Sequence, residues 1–141
     1  MNETEEIDLA SGLAAFESKH FSSAMQYLSP LARAGNAEAQ YRVAIMFQNG
    51  LGLVANQTQA FALLQQAAEQ NHGLAQHGLG CCYLAGQGTV IDDETAVYWL
   101  QRAAEHELAR AQLALAELYE QGRGVPVDLV KANRLYRQAG F

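Results

Sequence analysis

The chain has 141 residues, half of them hydrophobic, so it is long enough for one domain with a real core and too apolar for a disordered tail. Fifteen acidic residues against nine basic ones give a net charge of −6, which argues against binding to a nucleic-acid backbone or an anionic membrane. The acidic start does not fit a signal peptide, and no segment approaches the roughly 18 apolar residues of a membrane span. The two cysteines, Cys81 and Cys82, are adjacent and poorly placed for a disulfide, so we expect a cytoplasmic protein.

The first predicted elements are two helices, at residues 7–19 and 21–34, which form an irregular N-terminal hairpin assigned to residues 7–36. Apolar residues of the second helix keep a spacing that recurs later in the chain. Ser23, followed three residues later by Gln26, suggests a capping box at the start of that second helix.

Pairs of glycines then recur at a fixed interval of 36 residues. The three copies are Gly50-Leu51-Gly52, Gly86-Gln87-Gly88 and Gly122-Arg123-Gly124. Other residue types recur in the same register: Ala39, Ala75 and Ala111; Gln40, Gln76 and Gln112; Asn56, Asp92 and Asp128. This regularity predicts tandem structural repeats at residues 37–72, 73–108 and 109–141.

Each repeat is predicted to be a helix A, a glycine loop and a helix B. The apolar residues in both halves of a repeat follow helical spacing. Glycine supplies the left-handed conformation that ends helix A, and the Asn or Asp column suits the N-cap of helix B. A phosphate-binding loop would need Gly-Lys-Ser/Thr or a preceding strand, and no copy has either.

The residues from Ala75 to Ala104 resemble the Sel-one-like repeat, a relative of the tetratricopeptide repeat, and the resemblance extends over residues 37–141. One departure is Val43-Ala44, where the family pattern has Leu-Gly. The resemblance implies a right-handed α-solenoid of about four antiparallel helix hairpins, eight helices in all, in a single repeat domain over residues 1–141. It also implies a scaffold for protein complexes, often in bacterial signalling or envelope processes.

In such solenoids helix A lines the concave face and contacts the partner. The resemblance therefore implies these partner-binding residues: Tyr41, Arg42, Ile45, Gln48, His77, Cys81, Leu84, Leu113, Glu117 and Glu120. Several of them are apolar where a merely solvated face would be polar, although neighbouring helices could cover them instead. The expected function is a non-enzymatic module that binds a protein or peptide, without a cofactor or metal.

An alternative is a small hydrolase or a metal- or thiol-dependent enzyme that uses His77 and Cys81. These residues are four apart on a predicted helix and share one face. Cys82 and Trp99 fall in packing columns, and free cysteine is usually a small buried hydrophobe. The sequence therefore favours the interaction module.

The chain finishes with ANRLYRQAGF, which leaves apolar residues near the end of the last predicted helix. Repeat arrays usually finish with a polar outer face. The sequence leaves two outcomes open: this end frays, or two chains form a homodimer through the C-terminal hairpin.

Overall fold

The computed structural model describes all residues from 1 to 141, and its regular secondary structure consists of eight α-helices. The helices are α1 (Glu3–Glu17), α2 (Phe21–Arg33), α3 (Ala37–Asn49), α4 (Gln57–Glu69), α5 (Gly73–Ala85), α6 (Asp93–Ala104), α7 (Ala109–Gln121) and α8 (Leu129–Gln138). They form four sequential hairpins, which confirms the predicted all-α class and is consistent with an α-solenoid. None of these helices has the length and apolar character needed to cross a lipid bilayer.

The chain consists of two compact units, Met1–Gln70 and Asn71–Phe141, and each contains two hairpins. The core of the first unit includes Leu28, Val43 and Met46, with helices α1 to α4 contributing apolar side chains. The corresponding core of the second unit has buried members on α6, α7 and α8, including Leu100, Leu115 and Tyr119, and Leu84 of α5 packs against them. That residues 1–141 act as a single repeat domain stays a prediction.

Glycine ends each A helix as predicted. Gly50, Gly86 and Gly122 are the C-caps of α3, α5 and α7, and all three are in the left-handed region. The second glycine of each pair also has positive φ: 73° at Gly52, 72° at Gly88 and 74° at Gly124. These values confirm the mechanical role of the glycine pairs.

The B helices of the three repeats begin at the predicted N-caps. The carboxylate or amide oxygens of Asn56, Asp92 and Asp128 accept hydrogen bonds from backbone N–H groups three residues later, at 3.0, 3.1 and 3.0 Å. Each bond satisfies a donor that the first turn of a helix leaves without an intrahelical partner.

The predicted capping box in the N-terminal hairpin is wrong. Helix α2 begins at Phe21, and its N-cap is His20, which makes no capping hydrogen bond with its side chain. The turn before it is tight, with Lys19 at a φ of 63°, and the Phe21 ring packs edge-on against Phe16 at 5.7 Å. Because the helix begins two residues before Ser23, Ser23 lies inside its first turn rather than at its N-cap.

Candidate partner-binding face

The predicted face of the first unit lies on α3. Tyr41, Arg42, Ile45 and Gln48 are all half-buried there. The Arg42 guanidinium carbon lies 5.1 Å from the centroid of the Phe16 ring and 6.0 Å from that of Tyr41, and Arg42 Nε donates to the Glu38 carboxylate at 2.9 Å.

Arg42 is therefore held in place from two sides. The ring of Phe16, which belongs to α1, attracts the cation through its π face, and Glu38 offsets its charge. The result is a half-exposed aromatic and cationic cluster between α1 and α3. Phe16 could not be assigned to this face from the sequence, because the N-terminal hairpin lacks the columns that align the three repeats.

The predicted face of the second unit lies on α5 and α7. His77, Cys81, Leu84 and Leu113 are half-buried, whereas two carboxylates of α7 are exposed: Glu117 and Glu120. Leu84 packs against the core of this unit, so neighbouring helices account for part of its burial. Leu113 is not part of that core cluster. Among the three predicted residues of α7, it is the apolar one.

The carboxylates of α7 influence Tyr136 on the neighbouring helix α8. Partial burial of the phenol and the nearby charges of Glu120 and Glu117 raise the pKa of Tyr136. This end of the face is therefore acidic, and the Tyr136 hydroxyl stays protonated at neutral pH.

His77 and Cys81 lie side by side on α5, as their spacing predicts, with His77 Nε2 3.6 Å from Cys81 Sγ. Burial raises the pKa of the Cys81 thiol. Burial also lowers the pKa of His77, and the positive charge of Arg110 lowers it further. Both groups are therefore neutral near pH 7, and the thiolate that nucleophilic or metal-binding chemistry requires is disfavoured.

The wider surroundings do not add ligands to this pair. No group of three or more His, Cys, Asp or Glu side chains is placed so that it could hold a metal ion. Cys82 and Trp99 are buried, with 1% and 9% of their surface exposed, which confirms the prediction that both pack in the interior.

The structure thus places the ten predicted residues on the three A helices of the repeats, four on α3 and six on α5 and α7. It brings Tyr41 and Arg42 together, and it brings His77 and Cys81 together. Their role in binding a partner stays a prediction.

Comparison with known proteins identifies a repeat family in the chain. The Sel1 repeat matches residues 37–72, 73–108 and 109–140. No curated protein sequence matches the chain significantly.

Solved structures share the fold over most of the chain. A protective antigen present in uropathogenic Escherichia coli strains, described as displaying an SLR fold, is 28% identical with a TM-score of 0.89 over 96% of this chain and 30% of the antigen. A Sel1 repeat protein from Oxalobacter formigenes is 30% identical with a TM-score of 0.88, over 93% of this chain and 54% of that protein. Cysteine rich protein B of Helicobacter pylori is 20% identical with a TM-score of 0.65, over 84% of each chain, and this likeness concerns the fold alone.

The chain therefore spans about a third of the antigen and about half of the Oxalobacter protein. The repeat match covers most of the sequence and agrees with the glycine caps, the N-caps and the hairpin order described above. This protein belongs to the Sel1 repeat family, whose members are generally scaffolds for protein interactions.

Proposed function

We propose that this protein is a non-enzymatic interaction module that binds a protein or peptide partner along the outward face of its A helices, the concave groove that the family resemblance implies. The observation that carries the proposal is the pair Tyr41 and Ile45. These two large apolar side chains are one turn apart on α3, half-exposed, and outside the core cluster of their unit. Large side chains of this kind in a partly exposed setting are typical of interface anchors.

Arg42 supports the same interpretation. Its guanidinium is held against Phe16 and Tyr41 and paired with Glu38, so little side-chain freedom remains to be lost when a partner binds. Aromatic residues and arginine are the residue types enriched at the centres of interfaces. A partner segment that contacts α3 would therefore present an apolar side chain to this cluster.

The second unit offers a different charge. Glu117 and Glu120 are exposed beside half-buried Leu113 on α7. A partner segment that contacts this unit would carry basic groups next to an apolar one, because opposite charges steer and orient association.

The enzyme alternative receives less support from the same residues. The raised pKa of Cys81 and the lowered pKa of His77 both favour neutral groups, whereas a catalytic cysteine requires a lowered pKa. We therefore propose a packing and contact role for this pair. The cytoplasmic location, the absence of nucleic-acid or membrane partners, and the homodimer through the C-terminal hairpin stay predictions.

The proposal can be tested with two face variants and a matched control for each. Tyr41→Ala and Leu113→Glu change the face, whereas Tyr27→Ala on α2 and Leu129→Glu on α8 make the same chemical changes at exposed positions away from it. Wild type and the four variants are immobilised, proteins captured from native lysate are quantified by mass spectrometry, and the leading partner is then titrated by calorimetry. We expect Tyr41→Ala to weaken that binding by about 2 kcal/mol, roughly 30-fold, with both controls unchanged.

The circular dichroism signal at 222 nm establishes that each variant remains helical. If both face variants bind the purified partner as tightly as wild type, the A-helix face is not the binding surface.

A further inference from the structure

A second surface lies between the B helices of the second unit. Helices α6 and α8 form the two walls of an open groove of about 400 Å³, and α7 forms its floor. Among the residues that line it are Ala104, Leu115, Tyr119, Lys131, Arg134 and Leu135. None of the residues assigned to the A-helix face lines this groove.

The same groove recurs in the first unit, between α2 and α4 over α3, with a volume of about 580 Å³. Its apolar lining occupies the positions two repeats earlier in the sequence: Ala32 for Ala104, Val43 for Leu115, Phe47 for Tyr119 and Leu63 for Leu135. The groove therefore forms where the B helix of one hairpin packs against both the A helix and the B helix of the next hairpin.

The two grooves differ in their polar residues. Arg33 in the first groove stands where Glu105 lines the second, and Gln59 stands where Lys131 does. The shape is thus shared by the repeats, and the charge is particular to each groove.

The floor of the second groove is apolar and well fixed. Leu115 and Tyr119 are 4% and 6% exposed. Gln101 Nε2 donates to the Tyr119 hydroxyl at 3.0 Å, and Lys131 Nζ lies 5.0 Å from the centroid of the Tyr119 ring. These contacts hold the ring in one position, with a cation directly over it.

The α8 wall is cationic. Helix α8 carries Lys131, Arg134 and Arg137 and no acidic residue. Lys131 and Arg134 line the groove, and neither forms an ion pair with a carboxylate of the chain. Glu105, on the opposite wall, is the one acidic residue that lines the groove. The α8 wall therefore carries positive charge that no carboxylate on the same wall balances.

The groove is largely open to solvent, whereas sites for small ligands enclose most of the ligand surface. An apolar floor beside two unpaired cations suits an extended or helical segment that carries apolar side chains next to carboxylates. We propose that the α6–α8 groove is a second docking site, which binds an acidic and apolar peptide segment of a partner protein. The apolar side chains contact Leu115 and Leu135, and the carboxylates pair with Lys131 and Arg134.

Three fluorescein-labelled peptides of equal length serve as probes: one alternating leucine pairs with glutamates, one with the leucines replaced by serine, and one with the glutamates replaced by lysine. Fluorescence polarisation measures each against wild type and the double variant Lys131→Gln/Arg134→Gln. The control double variant, Arg102→Gln/Arg137→Gln, removes the same charge from α6 and α8 at positions outside the lining. We expect the leucine–glutamate peptide to bind best, to weaken about fivefold in the groove variant, and to change little in the control.

Amide chemical shifts separate this site from the proposed A-helix face. Saturation with the leucine–glutamate peptide should shift Leu115, Tyr119 and Leu135, and should leave Tyr41 and Ile45 in place. The proposal is overturned if no peptide binds, if the lysine peptide binds equally well, or if the groove variant binds as wild type does. If the A-helix variants bind a partner as wild type does, the proposed A-helix face is refuted, but these peptide measurements still test the groove.

Discussion

The second glycine of each loop offers a direct test of how the hairpins pack. Gly124 has a φ of 74°, and a Cβ added there would lie 2.6 Å from the carbonyl oxygen of Asp93 and 2.7 Å from its carbonyl carbon. Both atoms belong to the backbone at the start of α6, so no side-chain rotation can relieve the contact. Gly124→Ala should therefore combine backbone strain with displacement of one helix start.

The two contributions can be separated with a matched substitution. Gly35 has a φ of 100°, and an added Cβ there meets nothing within 4 Å, so Gly35→Ala measures the backbone strain alone. We expect that strain to cost about 1 kcal/mol. Forcing apart a well-packed contact costs a further 1–3 kcal/mol, so Gly124→Ala should lose about 3 kcal/mol in all.

Urea unfolding followed by circular dichroism measures the free energy of unfolding of both variants and wild type, and a thermal melt of the same proteins measures Tm. For a chain of this length about 3 kcal/mol corresponds to a fall in Tm of roughly 10 °C, against about 3 °C for Gly35→Ala. Equal losses in the two variants would refute the reasoning, because they would show that the close approach of Gly124 to Asp93 carries no energy. A ligand-binding role for the loop would instead predict altered binding with unchanged stability.

Two further predictions follow from the His77–Cys81 pair. Because burial raises the pKa of Cys81, its thiol should react with a disulfide reagent at pH 8 many times more slowly in the native protein than in urea; similar rates in the two states would contradict the burial argument. The pKa of His77 in the folded state is lowered from 6.5, so at mildly acidic pH the unfolded chain binds more protons than the folded one. The free energy of unfolding is therefore unaffected by this group above pH 6.5 and decreases as the pH falls below 6.5. His77→Gln should therefore flatten the decline in Tm between about pH 7 and pH 5, and an unchanged decline in that variant would assign it to other groups.

The repeats, the hairpins and their caps were predictable from sequence because their signals are local. A glycine in the left-handed conformation ends a helix wherever it occurs, and an Asn or Asp before a helix binds the amide three residues later. Because the 36-residue register repeats each weak local signal three times, the predicted helices of the three repeats agree with α3 to α8 of the structure. The N-terminal hairpin lies outside that register, and there the predicted capping box at Ser23 was wrong.

Tertiary structure decided what each recurring residue contacts. Gln40 is 3% exposed, and its side-chain amide donates to the Ala32 carbonyl and to Gln66 while its oxygen accepts from Gln70, a network that no spacing rule indicates. The close approach of the Gly124 backbone to Asp93 could not be predicted either, because the sequence shows only that a turn is needed there.

The same distinction applies to the surfaces. The A-helix face could be predicted as a set of columns, but the packing of Leu84 against the core and the position of Arg42 over the Phe16 ring depend on neighbouring helices. The groove between α6 and α8 exists only because three helices from successive repeats pack together. Local sequence determines where a helix begins and ends, whereas the environment of its side chains depends on residues distant in the chain, whose positions the folded backbone alone establishes.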